Sequence, residues 1–193
     1  MKNIFLTFIL SLSILGQATA QSSNLQRQGT ATQLTVDGKP FLILGGELGN
    51  SSASCQEDIE RIFPKLKRMG LNTVLVPAYW DLTEPQKGKF DFSLTEKVIN
   101  QARENNLKVI FLWFGAWKNS MSCYAPLWFK EDYQKYPRSY TENGKPLEIA
   151  SAFSENVFQA DNHAFAEWMK FIANHDKEEG TVIMIQIENE IGM

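Results

Sequence analysis

The sequence predicts an α/β fold with a parallel sheet, and two observations support this prediction. Four short apolar runs lie near residues 42, 74, 110 and 184, and helical patterns of apolar residues lie between them. The runs are apolar throughout rather than alternating, as expected for strands that are covered on both faces. A doubly wound sheet and a (β/α)8 barrel both fit this order, although the Gly-x-Gly-x-x-Gly pattern of nucleotide-binding sheets does not follow the first run.

Composition and charge restrict the classes of function. Of the 193 residues, 44% are hydrophobic and 21% are charged, which is typical of a globular protein. The 19 basic and 22 acidic side chains give a net charge of −3, which argues against nucleic acid as a partner, because that binding needs a basic surface. Two histidines and two cysteines almost exclude a zinc cluster with four such ligands, and we expect no metal and no other cofactor.

The amino terminus has the features of a secretory signal peptide over residues 1–20. Lys2 supplies a positive start, residues 4–15 form an apolar run, and Ala20 ends a cleavage site of small side chains. A membrane anchor is the alternative, but the run is shorter than the roughly 20 residues that span a bilayer. The sequence has no other segment that is apolar enough to span a membrane, so we expect no membrane insertion after cleavage. The sequence therefore predicts an exported protein, periplasmic or extracellular, with a polar and flexible leader over residues 21–30.

Export bears on the two cysteines. Disulfides form in oxidising compartments, so export would permit a bond between Cys55 and Cys123. Two free thiols are the alternative, and neither cysteine has the spacing of a metal site.

The first elements in chain order are a hairpin and a helix. Asp-Gly at positions 37–38 separates apolar runs at 33–36 and 41–44, which is a strong hairpin signal. The second run is also the first predicted strand of the parallel sheet. Residues 54–57 form a capping box before a helical pattern, in which Pro64 should bend or interrupt the helix.

The strand and helix pattern then repeats along the chain. The later elements are a strand at 73–76, a helix after a capping box at 93–96, a strand at 109–113, a helix around 165–172 and a strand at 182–187. A long loop after the third strand reaches about residue 160 and contains a short helix near Leu127.

Polar and aromatic side chains follow each of the four predicted strands. In both candidate folds, the site lies at the carboxyl ends of the strands. The candidates are Glu47 after the first strand, Tyr79 after the second, Trp117 and Asn119 after the third, and Glu188, Asn189 and Glu190 after the fourth. Carboxylates, amides and aromatic rings suit a polyhydroxylated substrate, whereas the lack of histidine in these segments argues against a Ser-His-Asp hydrolase. The indole of Trp117 either stacks on a sugar ring or packs in the core.

Residues 186–190 (Gln-Ile-Glu-Asn-Glu) are the most specific feature of the sequence. Two glutamates at the end of an apolar strand are costly to bury unless they have a function. A partly buried carboxylic acid with a raised pKa can protonate a glycosidic oxygen, and the amide of Asn189 can bind a sugar hydroxyl. A solvated loop with ordinary surface acids is the alternative.

Three segments resemble known glycosidases. Residues 76–85 (Val-Pro-Ala-Tyr-Trp-Asp-Leu-Thr-Glu-Pro) resemble the second βα unit of clan A glycoside hydrolases. Residues 186–192 (Gln-Ile-Glu-Asn-Glu-Ile-Gly) closely resemble the acid/base segment of family 35 β-galactosidases, and residues 111–123 resemble a bacterial branch of that family. The resemblance covers about residues 34–193 and implies a (β/α)8 barrel, of which this chain supplies roughly the first four βα units.

The resemblance also implies a function and a carbohydrate substrate. It implies a retaining glycosidase for terminal β-galactosides, with Glu190 as general acid/base, Asn189 at the sugar 2-hydroxyl and Glu188 as a carboxylate of the inner barrel. The nucleophile of such enzymes lies near the seventh strand, beyond Met193, so residues 31–193 are interpreted as the N-terminal half of a barrel that is inactive alone. Another clan A activity (family 42-like galactosidase, β-glucosidase or β-mannanase) and a noncatalytic glycan-binding barrel are the alternatives.

Overall fold

The computed structural model describes residues 23–190, and its centre is a parallel four-stranded sheet. The strands are β1 (Ser23–Gln28), β2 (Ala31–Val36), β3 (Lys39–Pro40), β4 (Gly45–Glu47), β5 (Thr73–Tyr79), β6 (Lys108–Phe114), β7 (Arg138–Tyr140), β8 (Pro146–Ala150) and β9 (Val182–Gln186). The helices are α1 (Gln56–Arg68), α2 (Trp80–Thr83), α3 (Ser93–Glu104), α4 (Leu127–Glu131) and α5 (Glu155–His175). The predicted signal peptide lies outside the described residues.

The strand order of the central sheet follows the chain without a reversal, as β4, β5, β6 and β9. Tyr79 of β5 lies opposite Phe114 of β6, and Leu112 of β6 lies opposite Gln186 of β9, so the carboxyl ends meet at one edge. A doubly wound sheet reverses its strand order at a switch point. Over residues 23–190, the observed order therefore fits the barrel and not the doubly wound alternative.

The first strand of this sheet is β4, which follows the apolar run at 41–44 that the sequence predicts as the strand. The side chain of Asn72 donates to the Leu42 carbonyl at 2.8 Å and accepts from the Leu44 N–H at 2.9 Å. These main-chain groups are therefore satisfied by a side chain instead of by the neighbouring strand. The predicted position of this strand is wrong for that reason.

The amino-terminal segment forms strand β1, so the prediction of a flexible leader is wrong over these residues. β1 pairs antiparallel with β2, from Ser23 opposite Val36 to Gln28 opposite Ala31. Main-chain hydrogen bonds hold such a ladder, so its polar side chains are no obstacle to pairing. The predicted hairpin at Asp37-Gly38 joins β2 to β3 and is confirmed, with φ angles of 53° and 71° as a type I′ turn requires.

Neither predicted capping box forms, although both helices exist. The Ser54 hydroxyl donates to the Ser51 carbonyl at 2.8 Å, and α1 has no side-chain cap. Ser93 is the first residue of α3, and its N–H donates to the Asp91 carboxylate at 2.9 Å. Nearby polar groups thus take the hydrogen bonds that the capping boxes would use. The predicted interruption at Pro64 is also absent, because α1 continues through this residue.

Helix α5 is longer than the sequence predicts. It starts at Glu155, where the Ser154 hydroxyl accepts a hydrogen bond from the Val157 N–H. The predicted long loop therefore ends earlier, and it contains the β7–β8 hairpin besides α4, the short helix predicted near Leu127. The extra turns carry α5 towards the carboxyl edge of the sheet, where Asp161 becomes important.

The core lies between the central sheet and its helices. Trp168 of α5 is fully buried, and its indole contacts Phe111 and Trp113 of β6 at centroid distances of 5.2 and 5.0 Å. Its N–H donates to the hydroxyl of Thr95 in α3 at 2.8 Å. A single side chain thus joins two helices to the central strand.

The structure also bears on the cysteines and on membrane spans. Cys55 and Cys123 are both free thiols, which is the second of the two alternatives above. Within residues 23–190, no helix is long and apolar enough to cross a membrane.

We expect Thr95→Val to lower the free energy of unfolding by about 1–3 kcal/mol, because the buried indole N–H of Trp168 loses its acceptor. Urea denaturation of the whole protein measures this change. In a Trp168→Phe background, the donor is already absent, so the same Thr95→Val change should cost clearly less. An equal cost in both backgrounds would contradict the role given to this hydrogen bond.

Candidate active site

The predicted site residues lie along the carboxyl edge of the central sheet. They are Glu47 at the end of β4, Tyr79 at the end of β5, Trp117 and Asn119 after β6, and Glu188, Asn189 and Glu190 after β9. Glu47, Asn119 and Glu190 are exposed, whereas Tyr79, Trp117 and Glu188 are buried. The structure brings two of these residues, Trp117 and Glu188, into direct contact.

Glu188 is buried against the loop that follows β6, with 9% of its surface exposed. Its Oε2 accepts a hydrogen bond from the Trp117 main-chain N–H at 3.3 Å, whereas no donor from residues 23–190 reaches Oε1. Burial, together with the neighbouring carboxylate of Asp161, raises the pKa of Glu188 far above the ordinary carboxyl range. The protonated acid is therefore the favoured form of Glu188 at neutral pH.

Asp161 of α5 is the partner that the sequence analysis does not identify. Its Oδ1 accepts from the indole N–H of Trp113 at 2.8 Å, and its Oδ2 accepts from the Ala116 main-chain N–H at 2.9 Å. The helical pattern contains a signal for this residue, because an acidic side chain rarely occupies a core position without partners. The buried residues of α5 are Val157, Asp161, Ala164, Trp168 and Ile172.

Gly115 makes this carboxyl pair sterically possible. A Cβ at this position would lie 2.2 Å from Glu188 Oε1, 2.4 Å from Asp161 Oδ1 and 2.5 Å from Trp113 Nε1. These distances are far shorter than van der Waals contact, so a larger residue would displace the buried polar groups. The glycine thus allows the main chain after β6 to approach both carboxyl groups.

A cavity of about 410 Å³ opens beside Glu188. Its wall combines aromatic rings with three acidic side chains, and includes Trp113, Trp117, Phe153, Phe158, Phe165, Glu155, Asp161 and Glu188. The indole N–H of Trp117 donates to the Ala150 carbonyl at 3.0 Å, which holds the ring in place. Apolar ring faces beside polar groups suit a ligand with both C–H and hydroxyl surfaces.

Tyr79 makes packing contacts. Its hydroxyl accepts from the Ala53 N–H at 3.2 Å, and its ring contacts Phe114 and Tyr124 at centroid distances of 6.2 and 5.4 Å. Burial raises the pKa of the Tyr79 phenol above its usual value. The Tyr79 hydroxyl thus already has a hydrogen-bond partner within the protein. The substrate-binding role of Tyr79 stays a prediction.

Asn189 and Glu190 form the turn that leaves β9. Within the described part of the chain, the buried Oδ1 of Asn189 has no hydrogen-bond donor, and the side chain of Glu190 is exposed. Glu188 and Glu190 have left-handed backbone conformations, with φ angles of 60° and 57°. Such a conformation costs about 1–3 kcal/mol for a residue other than glycine, so surrounding contacts must hold the turn.

The parallel βα units carry carboxyl, amide and aromatic side chains at their strand ends, which is where (β/α)8-barrel enzymes place their sites. The chain belongs to glycosyl hydrolases family 35, whose sequence model matches residues 33–193. A β-galactosidase of Xanthomonas manihotis is 29% identical over 195 residues, covering 95% of this chain and 30% of that protein. Beta-galactosidase 11 of Arabidopsis thaliana is 31% identical, covering 87% of this chain and 19% of that protein. The chain thus spans less than a third of the length of these relatives.

Two solved structures have a similar fold. A cold-adapted β-galactosidase from Rahnella sp. R3 has a TM-score of 0.61 at 21% identity, covering 78% of this chain and 22% of that one. An exo-β-1,4-mannosidase from Opitutaceae bacterium strain TAV5 has a TM-score of 0.53 at 20% identity, covering 80% and 26%. At these identities the likeness concerns the fold alone. The predicted fold class is confirmed: β4, β5, β6 and β9 are strands of a (β/α)8 barrel.

We expect Gly115→Ala to lower the free energy of unfolding by about 1–3 kcal/mol, because the added methyl group would collide with Glu188, Asp161 and Trp113. Urea denaturation of the whole protein measures the loss. Gly46→Ala is the matched control, since a Cβ there meets only a methyl group of Leu71 at 3.1 Å and should cost clearly less. Equal losses in the two variants would contradict the packing argument.

Proposed function

We propose that the protein is a retaining glycoside hydrolase that removes terminal β-galactosyl groups, with Glu190 as general acid/base. The observation that carries this proposal is the segment 186–190 at the end of the fourth barrel strand, in a chain that belongs to family 35. The names of the relatives from Xanthomonas manihotis and Arabidopsis thaliana support galactose as the sugar.

The two glutamates of this segment have different surroundings. Glu190 is exposed, so its carboxyl group is free to meet a substrate oxygen, whereas Glu188 is buried and bonded within the protein. In a retaining cycle, the acid protonates the leaving oxygen and then activates the water that attacks the glycosyl-enzyme. Retention needs a second carboxyl group about 5–5.5 Å away as nucleophile, which we assign to a later strand of the barrel. The two carboxyl groups carry this reaction without a cofactor.

We further infer which residues contact the sugar. Asn189 is assigned to the 2-hydroxyl, and its Oδ1, which has no donor among residues 23–190, supports this role. Trp117 presents part of its ring to the cavity beside Glu188 and is assigned to the sugar face. Glu47 and Asn119 are assigned to the same site by their exposed positions at the carboxyl edge.

We also propose that the protein is exported to the periplasm or the medium. Lys2, the apolar run at 4–15 and the small residues that end at Ala20 support this proposal. An exported glycosidase would meet its glycan outside the cytoplasm.

For Glu190→Ala in the whole protein, we expect a burst of dinitrophenolate from dinitrophenyl β-galactoside, followed by slow turnover. A good leaving group hardly needs protonation, so the first step survives, whereas water attack without a general base is slowed by about 10²–10⁴-fold. Azide needs no general base, so it should restore turnover and give galactosyl azide of retained configuration. Stopped-flow absorbance and product NMR measure the two results.

Glu188→Ala is the matched control for this experiment, because it removes the other glutamate of the same turn. Its carboxyl group is buried between Trp117 and Asp161, so we expect impaired binding or folding and no rescue by azide. Rescue that occurred only in Glu188→Ala would reverse the assignment of the acid/base.

Export predicts the first residue of the mature protein. Amino-terminal sequencing of protein from the periplasm or medium should begin at Gln21, or within one or two residues of it, because the cleavage site accepts small side chains before the cut. The Ala20→Arg variant should keep its leader for the same reason. Exported wild-type protein that still begins at Met1 would defeat the proposal.

A further inference from the structure

We propose that Asp161 is a positioning residue: its carboxylate accepts a hydrogen bond from protonated Glu188 and thereby holds the turn that carries Asn189 and Glu190. The contact between the two carboxyl groups is a property of the fold and does not depend on the proposed function. Its consequence for catalysis rests on the proposed function. Glu188 is then a structural acid of the site and not a ligand of the sugar.

The hydrogen bonds of the two carboxyl groups decide which one holds the proton. Asp161 accepts one N–H bond on each oxygen, from Trp113 and Ala116, so both of its oxygens already have a donor. Glu188 accepts a single longer bond, from the Trp117 N–H at 3.3 Å. Its buried Oε1 has no donor among residues 23–190. A Cβ on Gly115 would lie 2.2 Å from this oxygen and 2.4 Å from Asp161 Oδ1, so the two oxygens are neighbours. A proton on Oε1 satisfies both groups at once.

Among residues 23–190, no ion pair balances the negative charge of the two carboxyl groups. A proton shared by the pair therefore has to balance it. Trp113 and Trp117 of the β6 segment are neutral, and the same cavity contains a further acid, Glu155 of α5. The ammonium group of Lys118, the residue after Trp117, lies over the Phe114 ring at 4.5 Å from its centroid. None of the ion pairs among residues 23–190 involves Asp161 or Glu188. Two adjacent carboxylates without a cation cannot both stay ionised in a buried site.

The pair acts on catalysis through the backbone of the turn. Glu188 and Glu190 both have positive φ angles, and such strained residues persist only where surrounding contacts hold them. The side chain of Glu188 provides one such contact, because it is bonded to the Trp117 N–H and packed against Gly115. The side-chain amide of Gln186 provides another, since it donates to the Glu188 carbonyl at 2.9 Å. If the proton is lost, repulsion from Asp161 drives the Glu188 carboxylate outward and moves Asn189 and Glu190 with it.

Infrared spectroscopy tests the protonated pair without any assay of activity. In the whole protein at neutral pH in heavy water, Glu188 should contribute the C=O stretch of a protonated carboxylic acid. Glu188→Gln should remove this band, whereas the matched control Glu190→Gln should leave it. A spectrum without a band that depends on Glu188 would overturn the proposal, whether or not the protein cleaves galactosides.

The charge of Asp161 is tested by a change that keeps its shape. Asp161→Asn removes the negative charge that holds the proton on Glu188, so the infrared band should titrate at a lower pH than in the wild type. The direction follows because a neighbouring carboxylate raises the pKa of an acid and its removal lowers that pKa. An unchanged titration would show that Asp161 does not hold this proton.

Kinetic constants of the whole protein test the positioning role. Glu188→Gln can still donate to Asp161 and accept from Trp117, so it should keep kcat within about fivefold, whereas Glu188→Met, of similar length without these groups, should lower kcat by about 100-fold through misplacement of Glu190. KM should stay within about threefold of the wild-type value in Glu188→Gln and should rise in Glu188→Met, because the misplaced turn also carries Asn189, the proposed contact to the sugar 2-hydroxyl. Equal kcat losses, or a loss confined to KM, would overturn the positioning role even where the infrared result stands.

Discussion

The architecture depends on strand β6, which is paired on both sides and covered on both faces. It lies between β5 and β9, and each residue from 109 to 114 is at most 6% exposed. Among residues 109–114 of this strand, only Trp113 has a polar side-chain group, so the other polar groups of the site collect where the chain leaves the sheet. The loop after β6 is that place, and it provides the N–H groups of Ala116 and Trp117 to the two buried carboxyl groups.

The core and the candidate site share residues. The Trp113 ring packs on Trp168 of α5, while its N–H donates to Asp161 of the same helix, about two turns earlier. Docking of α5 on β6 therefore sets the height of Asp161 relative to the carboxyl edge. Gly115 completes this arrangement by leaving room for both carboxyl groups. Stability of the barrel wall and placement of the acids are consequently properties of one set of contacts.

Much of the fold could be predicted because burial leaves a periodic pattern in the chain. The apolar runs of β5, β6 and β9 and the stripes of α1, α3 and α5 were identified in this way. The structure departs from these patterns where a side chain takes a main-chain hydrogen bond that the predicted element would use. Asn72 holds the run at 41–44 out of the sheet, and Asp91 takes the N–H of Ser93. Strand β1 was missed because a ladder needs main-chain partners and not apolar side chains.

Three properties can be predicted from the amino-acid sequence: the order of the βα units, the position of the Glu188–Glu190 segment at a strand end and its likeness to family 35. Those properties are local, because each depends on residues that are close together in the chain. Three other properties depend on the packing of the elements: Glu188 is buried while Glu190 is exposed, Tyr79 is bonded to Ala53, and Asp161 lies beside Glu188. Protonation and steric fit depend on distances of a few ångströms between groups from different elements. No periodicity in the sequence records those distances, because they are set when helix, strand and loop pack together.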